Sequence, residues 1–314
     1  MSSNRAKRSS EEGARLSPFR QKRVGRPPRA AQLVVPDYAE GIQIKTSDAD
    51  PRFNNVLARG LAILRAFQID RPWLGNLELA AATGLTKPTV SRLTHTLTQL
   101  GYLRYREEIG KYELAAGVVS LAYPYLASQT VPPVARPLML ALAQRTKTNV
   151  GLGVHEDLSI FYLEYALGDP SPNRLHRAGF RVPLVRTAMG RACIAGLRPD
   201  RRAALYAQIA GYYGREWAAL ERELDAAVAQ VQAHGYCIAA GTFSSGTHSV
   251  AVPFVQNPPQ GDGRAVMAFN SLGQASRLPL PVLERNGRRL LELAEQVRRQ
   301  LAVAPPAGPS LGRA

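Results

Sequence analysis

The sequence predicts an α+β protein of two domains: a small helical domain closed by a β-hairpin, then a larger one with an antiparallel sheet around central helices. Three observations carry that prediction. The 314 residues exceed what a single ordinary core needs, since domains commonly run to roughly 100–200 residues. Apolar residues recur every three to four positions through residues 56–100, then alternate through 102–114. Beyond residue 150, short alternating runs flank helical stretches and a long amphipathic segment ends the pattern.

Residues 1–50 show no sustained periodicity and contain Pro18, Pro27, Pro28 and Pro36, so they read as a basic, disordered tail. Their first thirty positions hold nine bases against only Glu11 and Glu12. Within them, Val24-Gly25-Arg26-Pro27-Pro28-Arg29 resembles the Gly-Arg-Pro core of minor-groove AT-hooks. Residues 51–114 read as a winged helix-turn-helix domain. Val56, Leu57, Gly60, Leu61, Leu64 and Phe67 form one helical stripe, with Arg59 and Arg65 off it. After Arg71-Pro72 a short helix spans 76–83, with Asn76 as its cap and Gly84 supplying the turn. Thr86 caps the next helix, Pro88 is tolerated in its first turn, and Gly101 stops it after Leu100.

Two short helices joined through Gly84-Leu85 form the pattern in which the second helix enters the DNA major groove. At 100° per residue, Val90, Leu93, Leu97 and Leu100 share one side of that helix, opposite Ser91, Arg92, His95 and Gln99. The sequence holds no acid between Glu78 and Glu107, which suits a surface meeting phosphates. Lys87, Thr89, Ser91, Arg92, His95 and Gln99 are therefore the candidate DNA-contacting residues, with Arg59 on the first helix beside them. Arg92 can fork onto guanine or clamp a phosphate. Tyr102–Arg106 and Lys111–Leu114 read as the two strands of a wing, from which Arg104 and Arg106 reach the flanking backbone.

An apolar, Ala-rich linker helix occupies residues 115–130, and its apolar excess implies burial against a partner. Residues 131–303 form the second domain, and 304–314 a C-terminal tail. Within the second domain, a helix at 133–145 precedes strands at 150–154, 160–165 and 173–180. Helices follow at 188–197, 201–210 and 217–233, strands at 236–240, 249–255 and 265–271, and a final helix at 281–302. Trp73 and Trp217 are expected in cores.

Composition narrows the function. Forty Lys+Arg against 24 Asp+Glu give a net charge of +16, which suits a polyanionic partner. Two cysteines, Cys193 and Cys237, are too few for a disulfide framework or a thiolate zinc site, and they read as reduced and buried. Neither a membrane-spanning run nor an apolar leader is visible, so the expected location is the cytoplasm. No Gly-x-Ser-x-Gly elbow, His-Glu-x-x-His pair or phosphate-binding loop appears, so His155, His176, His234 and His248 with Cys237, Ser245 and Ser249 make no case for an enzyme. No cofactor or metal is expected.

From about residue 53 to 302 the chain resembles the IclR family of bacterial transcriptional regulators. The resemblance rests on Leu57–Leu64, on Gly84–Leu93, on Leu100–Leu103 with Gly110–Leu114, and on Thr187-Ala188-Met189-Gly190-Arg191-Ala192. Gly235-Tyr236, Val250–Pro253 and Ala275–Leu278 extend it. It implies a winged helix-turn-helix domain joined to a GAF-like effector-binding domain, acting as a homodimer or homotetramer on palindromic double-stranded DNA. Val182-Pro183-Leu184, the Thr187–Arg191 segment and Asn270 further resemble members responding to aromatic carboxylates of catabolic pathways. Where many members carry acids and a cysteine, this chain has Ala239, Ala240, Gly241, Thr242 and Ser249. That points to a bulkier or more apolar organic acid. The expected effector residues are Thr187, Ala188, Met189 and Gly190, whose amides open a helix toward a carboxylate, with Ser249 and Asn270 adding side-chain hydrogen bonds. The alternative is an architectural DNA-binding protein whose second domain only dimerises.

Overall fold

A computed structural model describes residues 51–169, 177–255 and 266–303. Its first three helices are α1 (Asn55–Arg65), α2 (Asn76–Thr83) and α3 (Lys87–Gln99), followed by the antiparallel wing strands β1 (Leu103–Arg106) and β2 (Lys111–Leu114). They close on Ile63, Phe67, Leu74, Leu79, Val90, Leu97 and Leu103. Gly84 has φ 69°, the left-handed conformation that lets α2 stop and α3 begin within a few residues. The cap of α2 is Gly75 rather than Asn76: the Gly75 amide donates to Glu78 Oε2 at 2.7 Å, and Glu78 Oε1 accepts from Lys111 Nζ at 2.8 Å. Thr86 does occupy the cap position of α3, but its hydroxyl bonds the Thr89 hydroxyl at 2.9 Å instead of an amide.

The face of α1 differs from expectation. Ala62, Ile63, Ala66 and Phe67 are buried, whereas Val56, Leu57 and Leu61 of the predicted stripe are exposed. The segment is apolar on two offset faces, and periodicity identifies the helix without deciding which face the small domain covers. Leu100 is likewise exposed, because the chain leaves α3 there, and the fully buried Thr94 takes the inward place, its hydroxyl donating to the Val90 carbonyl at 3.0 Å. Trp73 is about half exposed, its indole N–H donating to Glu113 Oε2 at 3.1 Å across the wing.

The linker helix α4 (Gly117–Ser128) buries none of its residues; Val119, Leu121, Tyr123 and Tyr125 all face outward. After α5 (Val131–Thr146) come β3 (Asn149–Glu156), β4 (Ser159–Ala166) and the three-residue β5 (Arg181–Pro183). The strand expected at 173–180 is replaced by β5: residues 177–180 form a turn, and 173–176 lie outside the described residues. Helices α6 (Ala188–Gly196), α7 (Pro199–Tyr213) and α8 (Trp217–His234) precede β6 (Cys237–Ala240), β7 (Thr247–Val255) and β8 (Val266–Gln274), and α9 (Leu280–Val303) ends the described chain.

The six strands β3–β8 form one antiparallel sheet in the order β5-β4-β3-β8-β7-β6. Side chains alternate across it. One face, carrying Val150, Leu152, Val250, Val252 and Phe269, packs on α5 and α9. The other, carrying Ile160, Tyr162, Ala251 and Ala268, packs on α6 and α8, with Leu205 and Ile209 of α7 behind. Both cysteines are free and buried on this second face. Among the described residues, no helix is long and apolar enough to cross a membrane.

Candidate nucleic-acid interface and ligand site

On α3, Lys87, Ser91, Arg92, His95 and Gln99 are exposed in a continuous outward band. Thr89 is half-buried and tied to Thr86, so its side chain acts within the cap. Arg59 is half-buried on α1. The wing arginines are solvent-facing yet committed to their own hairpin, where Arg104 and Arg106 both approach Glu113 Oε1, at 3.7 and 3.4 Å. Exposed pairs of this kind are weak, roughly 0–1 kcal/mol, and a phosphate can compete for them. The arrangement is a cationic, acid-free helix face set on a rigid hydrophobic triangle, with two more cations on the hairpin beside it.

The second candidate site lies on the sheet face under α6. Thr187 caps α6: its hydroxyl accepts from the Gly190 amide at 3.1 Å and donates to the Pro183 carbonyl at 2.9 Å. One of the amides expected to greet a carboxylate is therefore already satisfied. Ala188, Met189 and Gly190 are all buried, which places them at the floor of the region rather than its mouth. Arg191 anchors the same turn from behind, donating to the Val185 carbonyl at 3.0 Å and pairing with Glu223 on α8.

Asn270 is buried in β8, facing α6. Its Oδ1 accepts from the Gly151 amide at 3.1 Å and its Nδ2 donates to the Tyr162 hydroxyl at 3.1 Å. Gly151 and Gly153 leave the space that Tyr162, Asn270 and the Met189 thioether occupy, since a Cβ on either glycine would collide with them. Ser249 is half-buried on β7, with Ala239 and Leu272 as its cross-strand neighbours, on the same face as Ala251 and Asn270. The structure thus brings Asn270 and Met189 together with Tyr162 between them. Gly151, Gly153 and Tyr162 were not singled out in the sequence. Two glycines alternating inside an apolar strand were the available signal, since glycine within a strand marks close approach of another group.

Burial shapes the titratable groups nearby. Desolvation pushes the Cys237 thiol up to about 12 and Cys193 further still, so both are neutral packing groups whose Sγ atoms donate weakly to the Ala188 and Val266 carbonyls. Among the described residues, no group of three or more His, Cys, Asp or Glu side chains is placed to hold a metal ion.

Two family models match the chain, the IclR helix-turn-helix domain over residues 56–107 and the bacterial transcriptional regulator IclR C-terminal domain over 123–298. The chain belongs to the IclR family. It is 30% identical over 254 residues to the HTH-type transcriptional regulator TsaQ1/TsaQ2 of Comamonas testosteroni, covering 80% of this chain and 89% of that protein. The p-hydroxybenzoate hydroxylase transcriptional activator of Acinetobacter baylyi is 27% identical, over 71% of this chain and 82% of its own. Among solved structures, an IclR family transcriptional regulator from Brucella abortus is 35% identical and superposes with a TM-score of 0.70, covering 84% of this chain and 97% of that one. This IclR-family protein is a DNA-binding transcriptional regulator with a small-molecule effector domain, and the relatives are regulators rather than enzymes.

Proposed function

We propose that this regulator binds a palindromic operator as a homo-oligomer, reads it through the α3 face centred on Arg92, and releases or tightens its grip when an aromatic carboxylate occupies the sheet face under α6. The observation that carries the reading is the acid-free band Lys87, Ser91, Arg92, His95 and Gln99, exposed on the second helix of the helix-turn-helix. Thr89, Arg59, Arg104 and Arg106 supply backbone contacts around it. The exposed apolar sides of α1 and α4 support an oligomer. Val56 and Leu57 on α1 and Val119, Leu121 and Tyr123 on α4 leave apolar helical surface wet that a second copy would cover.

For the effector, Asn270 is the orienting group: one amide hydrogen is spent on Tyr162 and the other is available to a carboxylate oxygen. Met189 lies over Gly153 in the floor, and its unbranched thioether chain is the group that can shift to make room for an aromatic ring. Thr187, Ala188 and Gly190 shape the wall, and Ser249 adds a hydroxyl. An aromatic acid is favoured by the apolar surroundings and by the absence of acids at Ala239–Thr242. A relative that is a p-hydroxybenzoate hydroxylase transcriptional activator points the same way.

The test is fluorescence anisotropy of the full chain on the duplex upstream of its own gene and on a scrambled duplex, with and without 4-hydroxybenzoate, at near-physiological salt. Arg92→Ala is expected to weaken native-duplex binding by more than about 1 kcal/mol and to flatten the preference over the scrambled duplex. Thr187→Val and Asn270→Leu are expected to leave DNA binding intact and abolish the response to the acid. Equal, steeply salt-sensitive binding to both duplexes, unmoved by any acid, would establish the architectural alternative.

A further inference from the structure

A cavity of about 590 Å³ lies at the β5 edge of the sheet, between the loop after α1 and the start of β5. Phe67 and Ile69 from the small domain face Phe161 and Phe180 from the large one, and Arg65 and Arg181 stand among them. The position of Arg181 follows from register. It pairs with Phe161 across β4–β5, whereas the neighbouring pair Val182 and Ile160 belongs to the α6 face, so Arg181 and Phe161 point away from Asn270 and Met189, neither of which lines the cavity, although Phe180 on the same lining packs against Tyr162.

The charge in this cavity is unbalanced. Among the described residues neither Arg65 nor Arg181 makes an ion pair, while Arg181 is half-buried. Of the two acids on the lining, Glu113 is already shared by Arg104 and Arg106 and hydrogen-bonded by Trp73, and Asp70 is exposed at the rim. Burial, and then the neighbouring Arg65 cation, pull the Arg181 guanidinium below its ordinary value. Two neighbouring guanidiniums without an ion-pair partner are stabilised by an anion placed between them. The apolar walls decide which kind. A volume of this size exceeds what an inorganic anion fills and is in the range of small-molecule sites, and its aromatic surface stabilises a flat apolar body.

We infer that this interdomain crevice is a second ligand site, which takes an amphipathic aromatic carboxylate with its anionic end held by Arg65 and Arg181. Its walls come from both sides of the linker helix, so an occupant fixes the small domain against the sheet and changes operator affinity independently of the α6 face.

The test is calorimetric titration of the full chain with sodium 2-naphthoate and with neutral 2-naphthamide. Wild type is expected to bind the acid in an event that survives Asn270→Leu and weakens at least ten-fold in Arg65→Gln and in Arg181→Gln. Arg181→Lys should recover part of the loss, and the amide should bind more weakly and be indifferent to both glutamine variants. Unchanged thermal unfolding of the variants shows that the fold is kept. No binding to wild type, or equal affinity in wild type and both glutamine variants, overturns the inference. Binding abolished by Asn270→Leu but untouched by the arginine variants also overturns it and leaves the α6-face site standing; the converse result leaves the crevice standing alone.

Discussion

Replacing Gly190 with alanine tests how tightly the start of α6 is seated against the turn before it. A Cβ built on Gly190 would lie 2.5 Å from the Leu184 carbonyl carbon and 2.7 Å from Leu184 Cα, and nearer still to the carbonyl oxygen. Ordinary carbon–carbon contact begins at about 3.5 Å, so the turn between β5 and α6 must retreat by about 1 Å. That obstacle is backbone and cannot rotate away. Retreat would also strain the Thr187 cap, which reaches both Pro183 and Gly190. Overpacking a tight interior costs about 1–3 kcal/mol, and with no side chain to yield the upper end applies, so about 3 kcal/mol is expected. For a domain of this length that is a fall of roughly 6–12 °C in Tm. The assay exploits the two tryptophans, one per domain. In a Trp73→Phe background, emission from Trp217, which packs edge-on against Tyr206 at 5.3 Å, reports unfolding of the sheet domain alone. A Gly190→Ala change under 1 kcal/mol would refute the close approach and, with it, the rigid floor assigned to the effector site.

Two further outcomes are expected. Val119→Asp with Leu121→Asp on α4 should shift the full chain to a smaller species in sedimentation velocity and lower operator affinity, because these exposed apolar groups are read as covered by a second copy; an unchanged sedimentation coefficient would remove α4 from the interface. Glu78→Gln should show a pH-dependent loss of stability. Hydrogen bonding from the Gly75 amide, and then Lys111, holds the Glu78 carboxyl below its ordinary value of 4.5. A carboxyl depressed in the folded state stabilises it fully above the unfolded value, and that contribution disappears as pH falls through the lower folded value. The difference between wild type and variant, below about 1 kcal/mol for so exposed a pair, should thus be constant from neutral pH down to about pH 5 and shrink as pH falls through and below the ordinary carboxyl value in urea titrations. A difference that grows on acidification would contradict it.

What the sequence by itself determined is local. Spacing of three and four residues located α1, α2 and α3, Gly84 and Gly101 bounded them, and alternation located the wing and most of the sheet strands. These follow from backbone periodicity and from left-handed turns, properties a short window carries whole. The polar outer face of α3 was legible for the same reason. Tertiary structure alone decided which of two apolar faces of α1 is covered, because Val56, Leu57 and Leu61 are as hydrophobic as Ile63 and Phe67 and differ only in what stands opposite. It left Trp73 outside, since the wing offers its indole a carboxylate. It put the strand at Arg181–Pro183, where the edge of β4 has partners to give. It also joined Asn270 to Tyr162, 108 positions apart, through strand register that no local pattern encodes. The two unbalanced arginines, Arg65 and Arg181, belong to different domains, and only the folded chain brings their charges together.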